Sequence, residues 1–152
     1  MTIEEVLKLS SATDLETKLV IHLGYVSRLL EESVAAILKE HELSIPQYNV
    51  MRILRGQKGQ PASLACIQER MVDKSSNTTR LVDKLIAKNL TKRRICPTNR
   101  RKVEIEITED GLSLLKQLDP LTLNINRENL DGLSQDEKQI LNNLLNKIRT
   151  HE

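Results

Sequence analysis

A chain of 152 residues with 39% hydrophobic and 29% charged side chains fits a single soluble domain and argues against a disordered chain. Its only aromatic residues are Tyr25 and Tyr48, which argues against an aromatic platform for stacking the bases of single strands. The net charge of +2 conceals an asymmetry, because residues 74–102 hold ten Lys/Arg and one acid, while the remainder holds thirteen Lys/Arg and twenty acids.

The N-terminus lacks the features of a secretory signal, and no apolar run reaches the roughly 18 residues that a membrane span requires. We therefore expect a cytoplasmic protein with no membrane partner. Cysteines in that compartment are usually reduced, so Cys66 and Cys96 are expected to be free thiols.

The first long helix is expected to open at Thr13 and to run to about Glu40. Its start carries a capping box, in which Thr13 and Glu16 would bond free backbone N–H groups. Apolar residues then recur at helical spacing over the whole length. Because a helix this long is apolar at both ends, we expect it to pack against more than its own core.

Two shorter helices follow the long one. A second capping box joins Ser44 to Gln47 and opens a helix that ends at the glycines Gly56 and Gly59. Ser63 is placed to cap the short helix that comes next.

A further helix is expected over residues 75–88, with Asn89 suited to a left-handed end. Its first turns are rich in hydroxyl and amide side chains, which both donate and accept hydrogen bonds, and in an arginine that suits guanine. The expected groove contacts come from Ser76, Asn77, Thr79 and Arg80, with Lys84 and Lys74 on phosphates. The alternative is ordinary capping with solvent-facing side chains. Asp83 either orients Arg80 or forms a surface pair.

The hydrophobic period then changes to two, which predicts a β-hairpin. The alternating apolar residues of its second strand are Val103, Ile105 and Ile107. Residues 91–96 are the expected partner strand, and residues 97–101 the connecting tip. The sequence leaves open whether Ile95 or Cys96 points inward.

Two helices are expected after the hairpin. Thr108 caps the first, and Pro120 should kink or break it. A third capping box, from Ser134 to Glu137, opens the last helix. The apolar stripe of that helix is expected to face inward and consists of Ile140, Leu141, Leu144, Leu145 and Ile148.

This order of elements predicts a mainly α fold with a small β-hairpin wing, in which a winged helix-turn-helix lobe joins a helical region. The second helix of the helix-turn-helix, residues 75–88, would enter the major groove of double-stranded DNA. The basic segment favours such a polyanion, and the alternative is a solvated charged surface. The wing is expected to hold the DNA backbone through Thr98, Arg100, Arg101 and Lys102, whereas some of Lys92, Arg93 and Arg94 serve structure.

Three stretches resemble the MarR family of bacterial transcription regulators: "LSIPQYNVMRILRG", "ERMVDKSSNTTRLVDKLIAKNL" and "RRICPTNRRKVEIEITEDGLSLL". The match runs in order from about residue 43 to residue 118. The resemblance implies a homodimer that sets two winged lobes on a palindromic operator. We expect this protein to act as a repressor. Carried over by position, the resemblance assigns residues 75–88 as the recognition helix and Arg100 and Arg101 as the wing arginines.

The resemblance also implies how the chain is divided. Residues 1–152 form a single domain, in which residues 43–108 are the winged helix-turn-helix lobe. Residues 13–40 and 109–149 together form the helical dimerisation region.

Two positions depart from the family pattern. The family usually has Asp where Asn99 stands, and because Asn offers only a neutral hydrogen bond, the wing arginines are expected to be held less firmly. The family tends to have Gly at Asn89, a mild change because Asn adopts the same left-handed backbone.

Many relatives release DNA when a small molecule binds between the dimer helices and the DNA-binding lobe, so the resemblance implies a small-molecule effector. His22, Tyr25 and Tyr48 are candidate contacts in that crevice, and the alternative is that they are packing residues. Other relatives sense oxidants through cysteine. Cys96, beside the wing cations, is the candidate for that role, and Cys66 is expected to be a buried apolar residue.

Neither catalytic nor metal chemistry is expected. His22, His41 and His151 lack metal-ligand spacing, and the chain has no Gly-rich phosphate loop or nucleophile elbow. We therefore expect no enzyme activity, no metal and no cofactor. The alternative to a DNA-binding regulator is a winged-helix adaptor whose basic face binds an acidic protein, although the core of such an interface favours aromatic residues.

Overall fold

The computed structural model of the chain describes residues 1–149. The helices in this part are α1 (Ile3–Leu7), α2 (Leu15–Lys39), α3 (Ile45–Gly56), α4 (Leu64–Arg70), α5 (Thr78–Ala87), α6 (Glu109–Asn129) and α7 (Gln135–Arg149). The strands are β1 (Ala62–Ser63), β2 (Thr91–Cys96) and β3 (Asn99–Ile107), and they form one antiparallel sheet in the order β1-β3-β2. None of the described helices combines the length and the apolar character that crossing a membrane requires. The predicted fold, mainly α with a hairpin wing, is confirmed.

Helix α2 begins one residue later than predicted. The carboxylate of Asp14 accepts hydrogen bonds from the backbone N–H of Thr17 at 2.8 Å and from the Thr17 hydroxyl at 2.9 Å. The predicted capping box of Thr13 and Glu16 is therefore wrong, because the carboxylate at the next position takes the free N–H group. Helix α1, which has its own capping box, has no counterpart among the predicted elements.

The other predicted caps are confirmed. In the reciprocal box at α3, the Ser44 hydroxyl accepts from the Gln47 N–H at 3.2 Å, and the Gln47 side chain accepts from the Ser44 N–H at 3.0 Å. Ser134 and Glu137 form the same pair of bonds at α7. Single caps are Ser63 for α4 and Thr108 for α6. Short-range hydrogen bonds thus fix the starts of four helices.

The core lies between the winged lobe and the adjoining parts of α2 and α6, and it is largely aliphatic, as the shortage of aromatic residues predicts. Helices α2 to α6 and strand β3 all contribute to it. The largest fully buried side chains with apolar character are Leu38, Val50, Met51, Leu54, Ile67, Met71, Val82, Leu85, Ile105, Leu115 and Leu118. This shared core holds α5 and the base of the hairpin against α3 and α6.

Strands β2 and β3 are irregular near their connection. Ile95 lies opposite Val103, but the next matched pair is Cys96 with Asn99. Strand β3 thus advances four residues while β2 advances one, and residues 100–102 form a bulge. Cys96, beyond the irregularity, is 8% exposed, whereas Ile95, on the same face as the buried Ile105, is 64% exposed. Of the two residues that the sequence leaves open, Cys96 is therefore the buried one.

The residues just before and just after the hairpin are hydrogen-bonded to each other. The N–H of Thr108, after β3, donates to the carbonyl of Leu90, before β2, at 3.1 Å. The Thr108 hydroxyl donates to the Asn89 carbonyl at 2.6 Å, and the Asn89 side-chain amide donates to Asp110 at 2.8 Å. The end of α5 is therefore fastened directly to the start of α6.

Helix α6 continues through Pro120. Of the two predicted effects of Pro120, a kink or a break, the break is therefore wrong. Proline lacks an N–H, so the carbonyl of Lys116 loses its helical partner. Both Lys116 and Pro120 are exposed, which leaves that carbonyl on the solvent side. Leu118 and Thr122 are buried on the opposite side and hold the helix to the core on either side of Pro120.

The apolar side chains of α7 are not covered by the subunit itself. None of its residues is buried, and the stripe predicted to face inward is exposed: Ile140, Leu141, Leu144, Leu145 and Ile148. That prediction is wrong for the single subunit. Helix α2 also exposes a row of large apolar residues: Leu15, Leu19, Val20, Leu23, Val26 and Leu29. Apolar area of this extent on two helices is typical of a surface that a partner covers.

Candidate nucleic-acid interface

Helix α5 is shorter than the predicted range of residues 75–88 because Asn77 is its cap. The side-chain oxygen of Asn77 accepts a hydrogen bond from the backbone N–H of Arg80 at 3.1 Å. At the other end, Asn89 has a left-handed backbone with φ of 58°, which confirms the predicted terminator. The helix therefore has a defined length of Thr78–Ala87 between two asparagines.

Helix α5 turns one face to the core and the other to solvent. Val82 and Leu85 are buried, whereas Thr79, Arg80 and Lys84 are exposed. The exposed face thus presents a hydroxyl and two cations from a rigid element. Side chains of these types bond base edges and phosphates in the major groove of DNA.

Gln68 of α4 holds the turn that precedes α5. Its side-chain amide donates to the carbonyl of Lys74 at 3.0 Å and accepts from the hydroxyl of Thr78. The ammonium of Lys74 donates to the carbonyl of Glu69, so this predicted phosphate contact points back to α4. Gln68 is absent from the sequence prediction because a polar residue in a short helix gives no local sign of a tertiary bond.

The two serines predicted at the start of the recognition helix lie in this turn. Asp73 accepts from the Ser75 hydroxyl at 2.6 Å and from the Ser75 N–H at 2.9 Å, and these bonds hold the pKa of Asp73 below its ordinary value. Ser76 is half-buried, and its hydroxyl oxygen is shielded from solvent. Ser76 is therefore less accessible to a base edge than Thr79 or Arg80.

The tip of the wing is shorter than the predicted residues 97–101. Only Pro97 and Thr98 connect the two strands. The hydroxyl of Thr98 lies 3.2 Å from the sulfur of Cys96, so this predicted backbone contact already has an internal partner.

Asn99 shapes the bulge that follows the tip. Its side-chain oxygen accepts from the backbone N–H of Arg101 at 3.1 Å. Because Asn99 bonds the main chain, it makes no hydrogen bond to the guanidinium groups of Arg100 and Arg101 or to the ammonium of Lys102. All three side chains are exposed.

The cations at the base of the wing are paired on one face of the hairpin. Lys92 pairs with Glu106 at 3.1 Å, and Arg94 pairs with Glu104 at 3.0 Å and with Glu106 at 2.9 Å. Exposed pairs of this kind contribute at most about 1 kcal/mol each to stability. Their larger effect is to neutralise this face.

Arg93 lies on the opposite face of the hairpin and pairs with Asp83 of α5 at 2.6 Å. The interpretation that Asp83 orients Arg80 is therefore wrong, and the alternative of a surface pair holds, with Arg93 as the partner. The sheet brings Arg93 within reach, which spacing along the helix does not reveal. The pair fastens the wing to α5.

The ten cations of residues 74–102 therefore fall into three groups. Three form ion pairs, and Lys74 and Lys88 donate to main-chain carbonyls. The remaining five have no carboxylate within ion-pair distance in the described part of the chain: Arg80, Lys84, Arg100, Arg101 and Lys102. Within residues 74–102, the cations that have neither a carboxylate nor a main-chain carbonyl as partner thus lie on α5 and in the bulge of the wing.

A pocket of about 680 Å³ lies between α2, α3, α6 and the turn before α5. Tyr48 lines it, with its ring beneath the guanidinium of Arg52 at 5.6 Å from the centroid. Arg52 is absent from the sequence prediction, although its spacing of four from Tyr48 on a helix is the signal that could have found it. Apolar walls with a few polar groups suit a small organic molecule.

Two polar contacts fasten α3 to α6 beside this pocket. The hydroxyl of Tyr48 lies 3.3 Å from the hydroxyl of Thr122, and both residues are buried. Arg55 makes a bidentate ion pair with Asp119, with distances of 2.8 and 3.1 Å. Residues that line the pocket therefore also hold α3 of the winged lobe against α6.

The three predicted effector contacts do not converge. Tyr48 lines the pocket, whereas His22 is exposed and lines a separate depression beside α1. Tyr25 is half-buried and lines neither of the two.

Across residues 1–149, no three His, Cys, Asp or Glu side chains come close enough to hold a metal ion. His151 lies outside the described residues. Cys66 is half-buried, Cys96 is buried, and both are free thiols.

Comparison with known proteins gives consistent relatives. A model of the MarR family matches residues 43–103. The HTH-type transcriptional regulator MhqR of Bacillus subtilis (strain 168) is 29% identical over 136 residues, which cover 90% of this chain and 92% of MhqR. The crystal structure of a MarR transcription factor from Planctomyces limnophilus is 30% identical, with a TM-score of 0.69, and the match covers 88% of this chain and 97% of that one.

A further solved structure resembles the fold over nearly the whole chain. It is BpsR of Bordetella bronchiseptica, whose DNA binding is regulated by 6-hydroxynicotinic acid. The TM-score is 0.77 at 21% identity, and the match covers 93% of this chain and 96% of BpsR.

Proposed function

The chain belongs to the MarR family of DNA-binding transcriptional regulators, and on that premise we propose that it is a homodimeric repressor of a palindromic operator. Members of this family are regulators rather than enzymes. Helix α5 enters the major groove of each half-site, and the wing lies on the adjacent backbone. Repression follows where the operator overlaps the site at which transcription starts.

The observation that carries the proposal is the division of the cations in residues 74–102. Cations that serve the fold have a carboxylate or a main-chain carbonyl as partner, whereas those on α5 and the bulge have no carboxylate within ion-pair distance in the described part of the chain. Unpaired cations on a protein surface displace counterions from DNA and so favour binding. The Asp83–Arg93 pair supports joint action of the two elements, because it joins the wing to α5.

Base recognition is assigned to the start of α5. Arg80 suits the bidentate acceptor pair of guanine, and Thr79 donates or accepts at a neighbouring base edge. Asn77 caps the helix through its oxygen, which leaves its amide nitrogen able to donate. Ser76 completes this set as its least accessible member. Phosphate contacts are assigned to Lys84, Arg100, Arg101 and Lys102. Lys74 and Thr98 would join them only by giving up their bonds to the Glu69 carbonyl and to Cys96.

The homodimer is supported by the exposed apolar rows of α2 and α7. Residues 13–40 and 109–149 contain both rows, and a second copy of the chain would cover them. A two-fold arrangement would place the two α5 helices on successive turns of one face of a duplex, about one helical turn apart. An operator with two-fold symmetry follows from that geometry.

Selection of bound sequences from a random duplex pool tests the proposal. We expect an inverted repeat whose half-sites are about one helical turn apart. Recovery of no sequence preference, or of a single half-site bound by a monomer, would contradict it. A gel shift with an acidic protein in place of DNA distinguishes the regulator from the alternative, an adaptor, because only the adaptor should bind the protein.

The effector proposed for this regulator is a small aromatic acid bound in the pocket beside Tyr48. Support comes from the apolar walls and from Arg52, an exposed cation on the pocket wall with no carboxylate within ion-pair distance in the described part of the chain. BpsR shows that a regulator of this fold responds to 6-hydroxynicotinic acid, a small aromatic acid. In a panel of hydroxylated aromatic acids, at least one should release DNA, and Arg52→Ala should weaken that response without weakening DNA binding.

A further inference from the structure

One face of the wing is apolar where the hairpin leaves the body of the domain. In antiparallel strands, residues directly opposite each other share a face. Arg93, Ile95, Val103 and Ile105 therefore share the face that is directed to α5, as the Asp83–Arg93 pair requires. We call this the inner face of the wing. Exposure along it rises from 0% at Ile105 to 36% at Val103 and 64% at Ile95.

The outer face of the wing has a different character. Its cross-strand neighbours are Lys92 with Glu106 and Arg94 with Glu104, and all four take part in ion pairs. A face whose cations are already matched by carboxylates gains little from a polyanion. The wing therefore has one neutralised side and one apolar side.

The exposed apolar pair stands between two cationic features. Toward the body of the domain, α5 presents Arg80 and Lys84 on its solvent side. Toward the tip, the bulge presents the exposed cations of residues 100–102. A strand of DNA that is held by both cationic features would pass over Ile95 and Val103, which lie between them. Charge complementarity on both sides thus favours DNA as the occupant of this surface.

We propose that Ile95 and Val103 contact the deoxyribose rings of the strand held by the wing. This inference rests on the proposed function. The edge of a deoxyribose presents C–H groups to the groove, and covering them with aliphatic side chains removes apolar surface from water. Such a contact releases no counterions, so it adds affinity that does not depend on salt. The wing then combines a salt-sensitive contact at residues 100–102 with a salt-insensitive one at the pair.

The test uses two substitutions at one position that differ only in polarity. Ile95→Val keeps an apolar side chain, and Ile95→Thr has the same shape as valine with a hydroxyl in place of one methyl group. Both residues are β-branched and suit a strand. Dissociation constants for the operator are measured across a series of salt concentrations by fluorescence anisotropy. Thermal unfolding of both variants verifies that the fold is unchanged.

We expect Ile95→Thr to bind roughly three- to tenfold more weakly than Ile95→Val at every salt concentration, with the same salt slope. Val103→Thr should have a smaller effect of the same kind. Arg101→Ala is the contrasting variant, because its weaker binding should come with a reduced salt slope.

Equal affinity of Ile95→Thr and Ile95→Val on an operator that the wild-type chain binds overturns the sugar contact and leaves the proposed function standing. If Ile95→Thr and Ile95→Val differ in oligomeric state without DNA, the sugar contact is overturned in favour of a contact between copies of the chain. Failure of the wild-type chain to select any operator is the separate outcome that removes the proposed function itself.

Discussion

Arg80 and Arg101 carry the same charge, but they stand on elements that would meet different parts of a duplex. Arg80 is on the exposed face of α5, whose cap and terminator fix its length. Arg101 is in the bulge of the wing, where Asn99 bonds its backbone and leaves its side chain exposed. Identical side chains should therefore differ in what their removal does to sequence preference.

Removing Arg80 should affect recognition, and removing Arg101 should affect general affinity. We expect Arg80→Ala to lose about 1–3 kcal/mol on the operator and to relax the base preference at one position of each half-site. Arg101→Ala should weaken operator and random DNA alike and lower the salt slope by about one for each phosphate that it no longer neutralises. Both quantities come from binding isotherms on operator, point-mutated operator and random duplexes.

Lys92→Ala is the matched control, since it removes a cation that is already paired with Glu106. Its affinity should stay near that of the wild type. A loss as large as that of Arg101→Ala would show that total charge, not its position, governs binding.

The cap of α2 should make stability depend on acidity. Hydrogen bonds from the backbone N–H and then from the hydroxyl of Thr17 hold the pKa of Asp14 below its ordinary 3.8. A carboxylate with a lowered pKa in the folded state contributes stability above its unfolded pKa and loses it as pH falls through the folded value. Asp14→Asn keeps an acceptor oxygen at the cap but does not titrate.

The wild type should therefore be more stable than Asp14→Asn near neutral pH, and the gap should close as pH falls below 3.8. Thermal unfolding of both proteins at matched subunit concentration measures the gap. A gap that is the same at every pH would show that the charge of Asp14 has no part in capping.

At the scale of single elements, the close approach of α6 to Leu90, which follows the end of α5, depends on a glycine. A Cβ at Gly111 would lie 2.3 Å from the carbonyl oxygen of Leu90 and 2.7 Å from a side-chain carbon of Ile107. Because one neighbour is backbone, the contact cannot be relieved by turning a side chain.

Gly111→Ala should destabilise the fold by about 1–3 kcal/mol, as overpacking of a close contact does. Gly132→Ala is the control, since a Cβ there meets nothing within 4 Å. Urea unfolding at one subunit concentration measures both. Equal stability of the two variants would mean that α6 moves away from Leu90 at little cost.

Elements could be predicted from the sequence where short-range bonds decide them. The capping boxes at Ser44 and Ser134 and the terminator at Asn89 are complete within a few residues, so the pattern of side chains is enough. The prediction failed where distant groups compete. Arg93 takes Asp83 because the sheet brings it to α5, and Cys96 rather than Ile95 is buried where the pairing of the two strands becomes irregular.

The candidate site follows the same division. The sequence placed Arg80 and the wing arginines in the right elements because charge and period mark a helix followed by a hairpin. It did not reveal Gln68, whose partners are Lys74 and Thr78 in and after the turn before α5. Arg52 was overlooked although its spacing of four from Tyr48 on α3 was a usable signal. The inward direction of the α7 stripe was wrong because a single chain offers it no cover.

At the scale of the whole molecule, the exposed stripe of α7 should decide whether the protein is active. Leu144→Glu puts a charge among exposed apolar side chains that a second copy would cover. We expect this variant to sediment as a monomer and to bind the operator far more weakly, because it gives up binding by two linked lobes.

Gln139→Glu is the control, because it adds the same charge to the same helix at an exposed polar position off the stripe. It should remain dimeric and bind normally. Retention of a dimer in Leu144→Glu would move the interface away from α7 and would require another partner for its leucines.

The hydrogen bonds of Thr108 to Asn89 and Leu90 make the chain return to the point from which the hairpin departs. Residues 97–102, which are exposed and lie outside the core, can consequently be inserted, removed or exchanged without altering how the end of α5 meets the start of α6. Descendants of such a gene are free to lengthen or shorten their reach along a promoter while the spacing of the paired helices stays constant. The length of DNA that the wings cover could then change in evolution independently of the spacing between the two half-sites.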